Sequence, residues 1–88
     1  MRIKKGFVVR EIAGQSIVVA LGGANKVFNG MIKLNETGRI IWDMLSAGEE
    51  KEAIIAGILE EYDIDRQTVE ADVDQFIKTL LEAGILEA

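Results

Sequence analysis

The sequence contains no cysteine and no histidine. Without cysteine there is no disulfide, no thiolate metal site and no cysteine nucleophile. Without histidine the chain lacks the usual general base near neutral pH and the commonest metal ligand of proteins. These absences argue against most hydrolytic and metal chemistry. We expect a protein that is not an enzyme and that holds no metal or other cofactor.

Proline and long hydrophobic runs are also absent. No segment approaches the ~20 apolar residues of a membrane-spanning helix, and no apolar run of signal-peptide length follows the basic residues of Met1–Gly6. The 88 residues are 49% hydrophobic and 28% charged, which is typical of one globular domain over residues 1–88. We expect a cytoplasmic protein that does not associate with membranes.

Charge is divided unevenly along the chain. Residues 1–45 hold seven Lys or Arg against three Asp or Glu, whereas residues 46–88 hold three against twelve. Solvated surfaces explain this division, and weak nucleic-acid binding by the basic half is the alternative. Because residues 65–83, a predicted helix, carry a net charge of −3 and would be repelled by phosphates, we expect no nucleic acid among the partners.

The first half of the chain predicts three strands. Phe7–Ile12 and Ser16–Leu21 are rich in β-branched residues and are joined by a short segment containing glycine, which predicts a β-hairpin. Gly22–Lys26 is a flexible break, and Val27–Leu34 is a third strand with a bulge or bend at Asn29–Gly30. We expect this third strand to lie at an edge of the sheet, where another strand can pair with it.

Within this third strand, side chains alternate between the two faces of the sheet. A period of two places Phe28, Ile32 and Leu34 on one face, with Met31 and Lys33 on the other. We expect the first face to meet the helices.

The second half predicts three helices. Asn35 caps the first, Glu49 or Glu50 to Tyr62 forms the second, and the third runs from Asp65, its N-cap, to Ala83. Gly84 ends this last helix, and a short extended tail at Ile85–Leu86 packs on the core. The predicted fold is α+β and winged helix-turn-helix-like, with a three-stranded antiparallel sheet followed by three helices.

Motifs of catalysis are missing from the sequence. It contains no GxGxxG, no P-loop and no HExxH motif. Helical spacing scatters its carboxylates, such as Glu70, Asp72 and Asp74, around an outer surface instead of gathering them in a cleft. This pattern favours solvated helix faces over a site of acid–base chemistry.

One set of residues makes the sequence resemble a known family. The set comprises Leu34, Asn35, Glu36, Thr37, Gly38, Ile41, Trp42, Leu45, Gly48, Tyr62, Val69, Asp72, Val73, Phe76, Leu80, Gly84, Ile85 and Leu86. This order of a strand, LN-x-T-G, IW-x-x-L, a glycine and DV-x-x-F resembles the PqqD family, named for pyrroloquinoline-quinone biosynthesis protein D. The resemblance covers nearly the whole chain.

The resemblance implies a winged-helix-like fold that binds peptides instead of DNA. Family members bind the leader of a ribosomally synthesised precursor peptide and present its core to a modifying enzyme, commonly a radical S-adenosylmethionine (SAM) enzyme. In the family, the leader lies as an added strand along the third strand and against the third helix, which are here Phe28–Leu34 and Asp65–Ala83. The chain would then be a non-catalytic adaptor, either a monomer or a weak homodimer.

These two elements contain the candidate peptide-binding residues. Met31, Ile32 and Lys33 present the backbone edge, because unpaired main-chain groups give an added strand its affinity. The full predicted set is Phe28, Met31, Ile32, Lys33 and Leu34 on the strand, with Asp74, Ile77, Lys78 and Leu81 as the opposite wall on the helix. For Ile77 and Leu81, ordinary core packing is the alternative.

Two other functions fit the predicted elements. A winged-helix transcription regulator would bind DNA with an affinity that weakens steeply with salt. A structural or dimerisation subunit would pair the same open edge between two copies of the chain.

Overall fold

The computed structural model describes residues 1–88. Its strands are β1 (Arg2–Ile3), β2 (Phe7–Ile12), β3 (Gln15–Ala20), β4 (Ile32–Leu34) and β5 (Leu86–Glu87). Its α-helices are α1 (Glu36–Ser46), α2 (Lys51–Glu61) and α3 (Arg66–Glu82), and a 3₁₀ helix spans Gly22–Lys26. Strands β2, β3 and β4 form one antiparallel sheet in that order, which confirms the predicted α+β fold.

A two-residue turn joins β2 to β3. Both turn residues have positive φ, 52° at Ala13 and 78° at Gly14, as a tight hairpin turn requires. The register runs from Ile12 opposite Gln15 to Phe7 opposite Ala20. The predicted hairpin is confirmed.

The third strand is shorter than the sequence predicts. It begins at Ile32 instead of Val27, because the chain bends at Asn29–Gly30 and the Phe28 ring folds back over this bend. A Cβ on Gly30 would lie only 2.9 Å from Phe28 Cζ. The prediction that Phe28 belongs to the strand is therefore wrong, and so is the flexible break predicted at Gly22–Lys26, which is a 3₁₀ helix.

Side-chain hydrogen bonds begin two of the helices. Asn35 Oδ1 accepts from the backbone N–H of Gly38 at 2.7 Å, and Asp65 Oδ2 accepts from that of Thr68 at 3.1 Å. Each bond satisfies a backbone donor that has no partner within its helix. Both predicted caps are confirmed.

The two ends of the chain pair with each other. Arg2 lies opposite Glu87 and Ile3 opposite Leu86, and the N–H of Lys4 donates to the carbonyl of Ile85 at 2.9 Å. The extended tail predicted at Ile85–Leu86 is present one residue later, as β5 over Leu86–Glu87. Its partner, β1, was missed because two residues are too few to show a periodic pattern.

One hydrophobic core lies between the sheet and the helices. Its fifteen buried members come from β2, β3, β4, all three helices and the C-terminal tail, and no polar residue is buried. Phe7, Val18 and Leu34 enter it from the inner face of the sheet. No helix of the chain is long and apolar enough to cross a membrane.

Candidate functional site

A groove of about 490 Å³ lies between β4 and α3. The first turn of α1 adjoins it. Its lining residues are Ile32, Lys33, Leu34, Asn35, Thr37, Gly38, Ile41, Asp72, Gln75, Phe76, Thr79 and Leu80. The groove thus runs along β4, an edge strand of the larger sheet.

The hydrogen-bonding pattern of the hairpin determines which backbone groups of β4 point toward β3 and which point away from it. In a two-residue hairpin, the closing pair, here Ile12 and Gln15, is hydrogen-bonded, and bonded pairs alternate from there. The N–H of Leu21 donates to the carbonyl of Gly6 at 2.7 Å, which continues the same alternation beyond the strand ends. Every second residue of β3 therefore directs its backbone groups toward β2.

The remaining residues of β3 direct their backbone groups toward β4. These residues are Ser16 and Val18, which lie opposite Leu34 and Ile32 respectively. Lys33 lies between these two bonded positions, so its N–H and C=O point away from β3. Because β4 is the last strand of its sheet, both groups of Lys33 face the groove side without a strand partner.

Apolar groups form the floor of the groove. Ile41 and Leu80 are almost fully buried beneath it, and the half-buried Phe76 lines it. Gly38 is buried in the first turn of α1, and a Cβ there would lie 3.4 Å from Phe76 Cε1 and 3.7 Å from Leu34 Cβ. The missing side chain of Gly38 therefore lets Phe76 and Leu34 pack close to the first turn of α1.

Several polar side chains of the groove already have partners within the chain. The Thr79 hydroxyl donates to the carbonyl of Gln75 at 2.9 Å, and Gln75 Nε2 donates to Thr79 Oγ1 at 3.4 Å. Asn35 is occupied as the cap of α1. The charged residues lining the groove are Lys33 and Asp72, and neither forms an ion pair within the chain.

Three of the predicted binding residues line this groove, namely Ile32, Lys33 and Leu34. The side chains of β4 alternate between the two faces of the sheet as predicted, with Ile32 and Leu34 turned inward and Lys33 exposed. Phe28 and Met31 precede the strand, and Met31 is 69% exposed.

The four predicted residues on α3 lie elsewhere. Asp74 Oδ1 is 2.6 Å from Lys51 Nζ, so this carboxylate faces α2. Ile77 is 7% exposed and belongs to the core, which was the alternative for it. Lys78 and Leu81 are exposed and are not among the residues that line the groove. The expectation that these four residues face β4 is corrected by the structure.

A different flank of α3 faces β4. Asp72, Gln75, Phe76 and Thr79 recur at three- and four-residue spacing, so at about 100° per residue they share one side of the helix. This side lies next to the apolar arc of α3. The predicted side, which carries Asp74 and Lys78, lies next to the same arc on its other edge. The sequence contained one indication that this flank faces β4, namely Phe76, which extends the apolar arc toward it.

Perturbed pKa values lie outside the groove. The hydrogen bond from Lys51 to Asp74 raises the pKa of this lysine, and hydrogen bonds from Thr68 lower the pKa of Asp65. No group of three or more His, Cys, Asp or Glu residues is placed to hold a metal ion. The arrangement is suited to holding an extended chain between an open strand edge and a helix.

Comparison with known families agrees with this geometry. Residues 10–86 match the family model described as coenzyme PQQ synthesis protein D, PqqD. The chain belongs to the PqqD family. The family predicted from the sequence is confirmed, and its model spans the second half of β2, all of β3 and β4, the three helices and the first residue of β5.

Two solved structures are similar to this PqqD family member. TbiB1 in complex with the TbiA(beta) leader peptide is 30% identical, with a TM-score of 0.80 over 100% of this chain and 96% of that chain. Lasso peptide synthetase B1 complexed with the leader peptide is 18% identical, with a TM-score of 0.78 over 99% of this chain and 96% of that one. At this lower identity the likeness shows the fold alone. No curated protein matches the chain.

Proposed function

We propose that the chain is an adaptor that binds the leader of a ribosomally synthesised precursor peptide in the groove between β4 and α3. The leader adds as a strand to the free edge of β4, while α3 contacts its side chains. The observation that carries this proposal is the position of the Lys33 N–H and C=O, which have no strand partner beside an apolar groove. Such an edge gives affinity through main-chain hydrogen bonds, and the neighbouring pocket gives specificity.

The similar structures support this proposal. TbiB1, which is 30% identical to this chain, was solved in complex with a leader peptide, and so was lasso peptide synthetase B1. Both share the fold that here creates the groove. Three residues of β4 and five of α3 line the groove. The groove is therefore long enough to contact several side chains of one bound strand.

The adaptor then delivers the precursor peptide to a separate modifying enzyme in the cytoplasm. A radical SAM enzyme is the partner that the family resemblance favours. The groove supplies backbone groups, apolar side chains and two charged side chains, Lys33 and Asp72. These groups bind and orient the peptide, and the modifying enzyme carries out the reaction.

A titration with a matched pair of variants tests the proposal. The ligand is a synthetic leader of the precursor peptide encoded beside the gene of this chain, and calorimetry measures its dissociation constant. Lys33→Pro removes the N–H at the free edge without removing a hydrogen bond to β3. Lys33→Ala removes the same side chain but keeps that N–H, so it is the control.

We expect Lys33→Pro to weaken binding about tenfold more than Lys33→Ala does, because a main-chain hydrogen bond is lost. Circular dichroism and thermal unfolding check that both variants stay folded. Equal affinities of the two folded variants would contradict strand addition. Sedimentation without peptide tests the dimerisation alternative, which predicts a dimer that Lys33→Pro dissociates and that does not bind the leader.

A further inference from the structure

The groove contains one carboxylate, that of Asp72, on the α3 side. Its neighbours on the same helix are paired, since Glu70 Oε1 lies 2.6 Å from Arg66 Nε and Asp74 Oδ1 lies 2.6 Å from Lys51 Nζ. Asp72 forms neither an ion pair nor a side-chain hydrogen bond with any group of the chain. It is exposed, so water solvates it when the groove is empty.

A strand bound along β4 changes the surroundings of Asp72. Such a strand fills the groove and displaces water from the wall on which Asp72 lies. A carboxylate that loses water without gaining a donor is costly, so a suitable ligand supplies that donor. Neither Gln75 nor Thr79 donates to Asp72: the Thr79 hydroxyl donates to the carbonyl of Gln75, and Gln75 Nε2 donates to Thr79 Oγ1.

The charge around the site favours a cationic donor over a neutral one. The whole chain has a net charge of −5, and Asp72 belongs to the acidic half of the sequence. Lys33 lines the groove from the opposite side, but no nitrogen of it lies within 4.0 Å of a carboxylate oxygen. A charge-assisted hydrogen bond from Lys or Arg is also about twice as strong as one from a neutral donor.

We propose that the peptide bound in this groove carries a lysine or arginine that pairs with Asp72. This inference rests on the proposed function. The same peptide places an apolar side chain against Phe76, one helical turn from Asp72. One turn of four residues rises about 6 Å, close to the roughly 6.8 Å between alternate residues of a strand. A peptide strand that runs along α3 therefore has one residue between its basic and its apolar residue.

A selection from random peptides tests this pattern and does not require the natural precursor. The probe is a phage-displayed library of random 20-residue peptides, selected separately on the wild type, Asp72→Asn, Asp74→Asn and Lys33→Pro. Asp74→Asn is the matched control, since it makes the same change on the same helix but outside the groove.

We expect the wild type and Asp74→Asn to enrich peptides with Lys or Arg two positions from an apolar residue. Asp72→Asn should retain the apolar residue and lose the basic one. If peptides are enriched whose binding Lys33→Pro abolishes but that contain no basic residue, this inference fails and the proposed function survives. If no enriched peptide depends on Lys33, the proposed function itself fails. Enrichment of Ser, Thr or Asn in place of Lys or Arg would also overturn the inference.

Calorimetry on one enriched peptide gives the strength of the contact. We expect Asp72→Asn to weaken binding about tenfold, and replacement of the peptide's basic residue by Gln to weaken it by a similar factor. Combining both changes should cost little more than either alone, because each removes the same ion pair. If the two losses of affinity instead multiply in the combined variant, Asp72 and the basic residue do not interact.

Discussion

Gly38 and Phe76 pack so closely that a Cβ on Gly38 would lie 3.4 Å from Phe76 Cε1. The same Cβ would lie 3.1 Å from Asn35 Oδ1, the atom that caps α1. A side chain larger than that of glycine would therefore crowd Asn35 and Phe76. The close packing at the floor of the groove therefore depends on the absence of a side chain at residue 38.

Gly38→Val should fill the groove and weaken leader binding about tenfold, the equivalent of about 1.4 kcal/mol. Its branched side chain also crowds Phe76 and Asn35, so we expect a loss of about 1–3 kcal/mol in the free energy of unfolding. Calorimetry and urea unfolding measure the two effects. Binding unchanged in a folded Gly38→Val variant would show that the leader lies elsewhere.

Gly57→Ala is the control for this substitution. A Cβ on Gly57 would meet Met44 Cε at 2.8 Å, but that methyl group is the flexible end of its side chain and can shift. Alanine also gains up to about 1 kcal/mol of helix propensity over glycine. We expect leader binding to stay unchanged, since Gly57 does not line the groove.

Ile77 and Leu81 should differ sharply in their importance for stability. Ile77 is 7% exposed within the core, whereas Leu81 is 41% exposed. Ile77→Ala should lower the free energy of unfolding by about 2–5 kcal/mol, and Leu81→Ala by less than about 1 kcal/mol. Urea unfolding of the two variants measures this. Similar losses for both would show that the two residues are buried alike.

Asp65 gives the chain a defined dependence of stability on pH. Hydrogen bonds from Thr68 lower the pKa of this carboxyl in the folded chain below its unfolded value, which is about 3.9. Its stabilising effect is therefore fully present above the unfolded pKa and is lost as the pH falls through the folded pKa. Acid removes this contribution to folding.

Asp65→Asn keeps a capping side chain but removes the titrating group. The wild type should exceed this variant in unfolding free energy by more at pH 7 than at pH 3. Urea titrations of both proteins at the two pH values give the comparison. A difference that is the same at both pH values would mean that Asp65 does not contribute to the acid sensitivity.

Features that depend on local chemistry were predictable from the sequence. The hairpin and the caps at Asn35 and Asp65 were predicted correctly, because neighbouring residues determine each of them. A glycine inside a helix also indicates the close approach of another element, and at Gly57 that element is the Met44 side chain.

Features that depend on distant contacts were not predictable in the same way. The length of β4 is set by the fold of Phe28 over Gly30, and β1 exists only because the two chain ends meet. Helix α3 has a polar flank on each side of its apolar arc, and its sequence alone does not tell which one faces β4. The structure places Asp72 and Thr79 there, where the sequence favoured Asp74 and Lys78.

Amide hydrogen exchange measures directly whether the Lys33 N–H is free or hydrogen-bonded. In the free protein this N–H has no strand partner, whereas Ile32 and Leu34 are already paired with β3. Residue-resolved exchange by NMR should show the Lys33 amide exchanging rapidly alone and at least about tenfold more slowly with saturating leader peptide. A leader that binds while the Lys33 amide stays as exchangeable as in the free protein would contradict strand addition to β4.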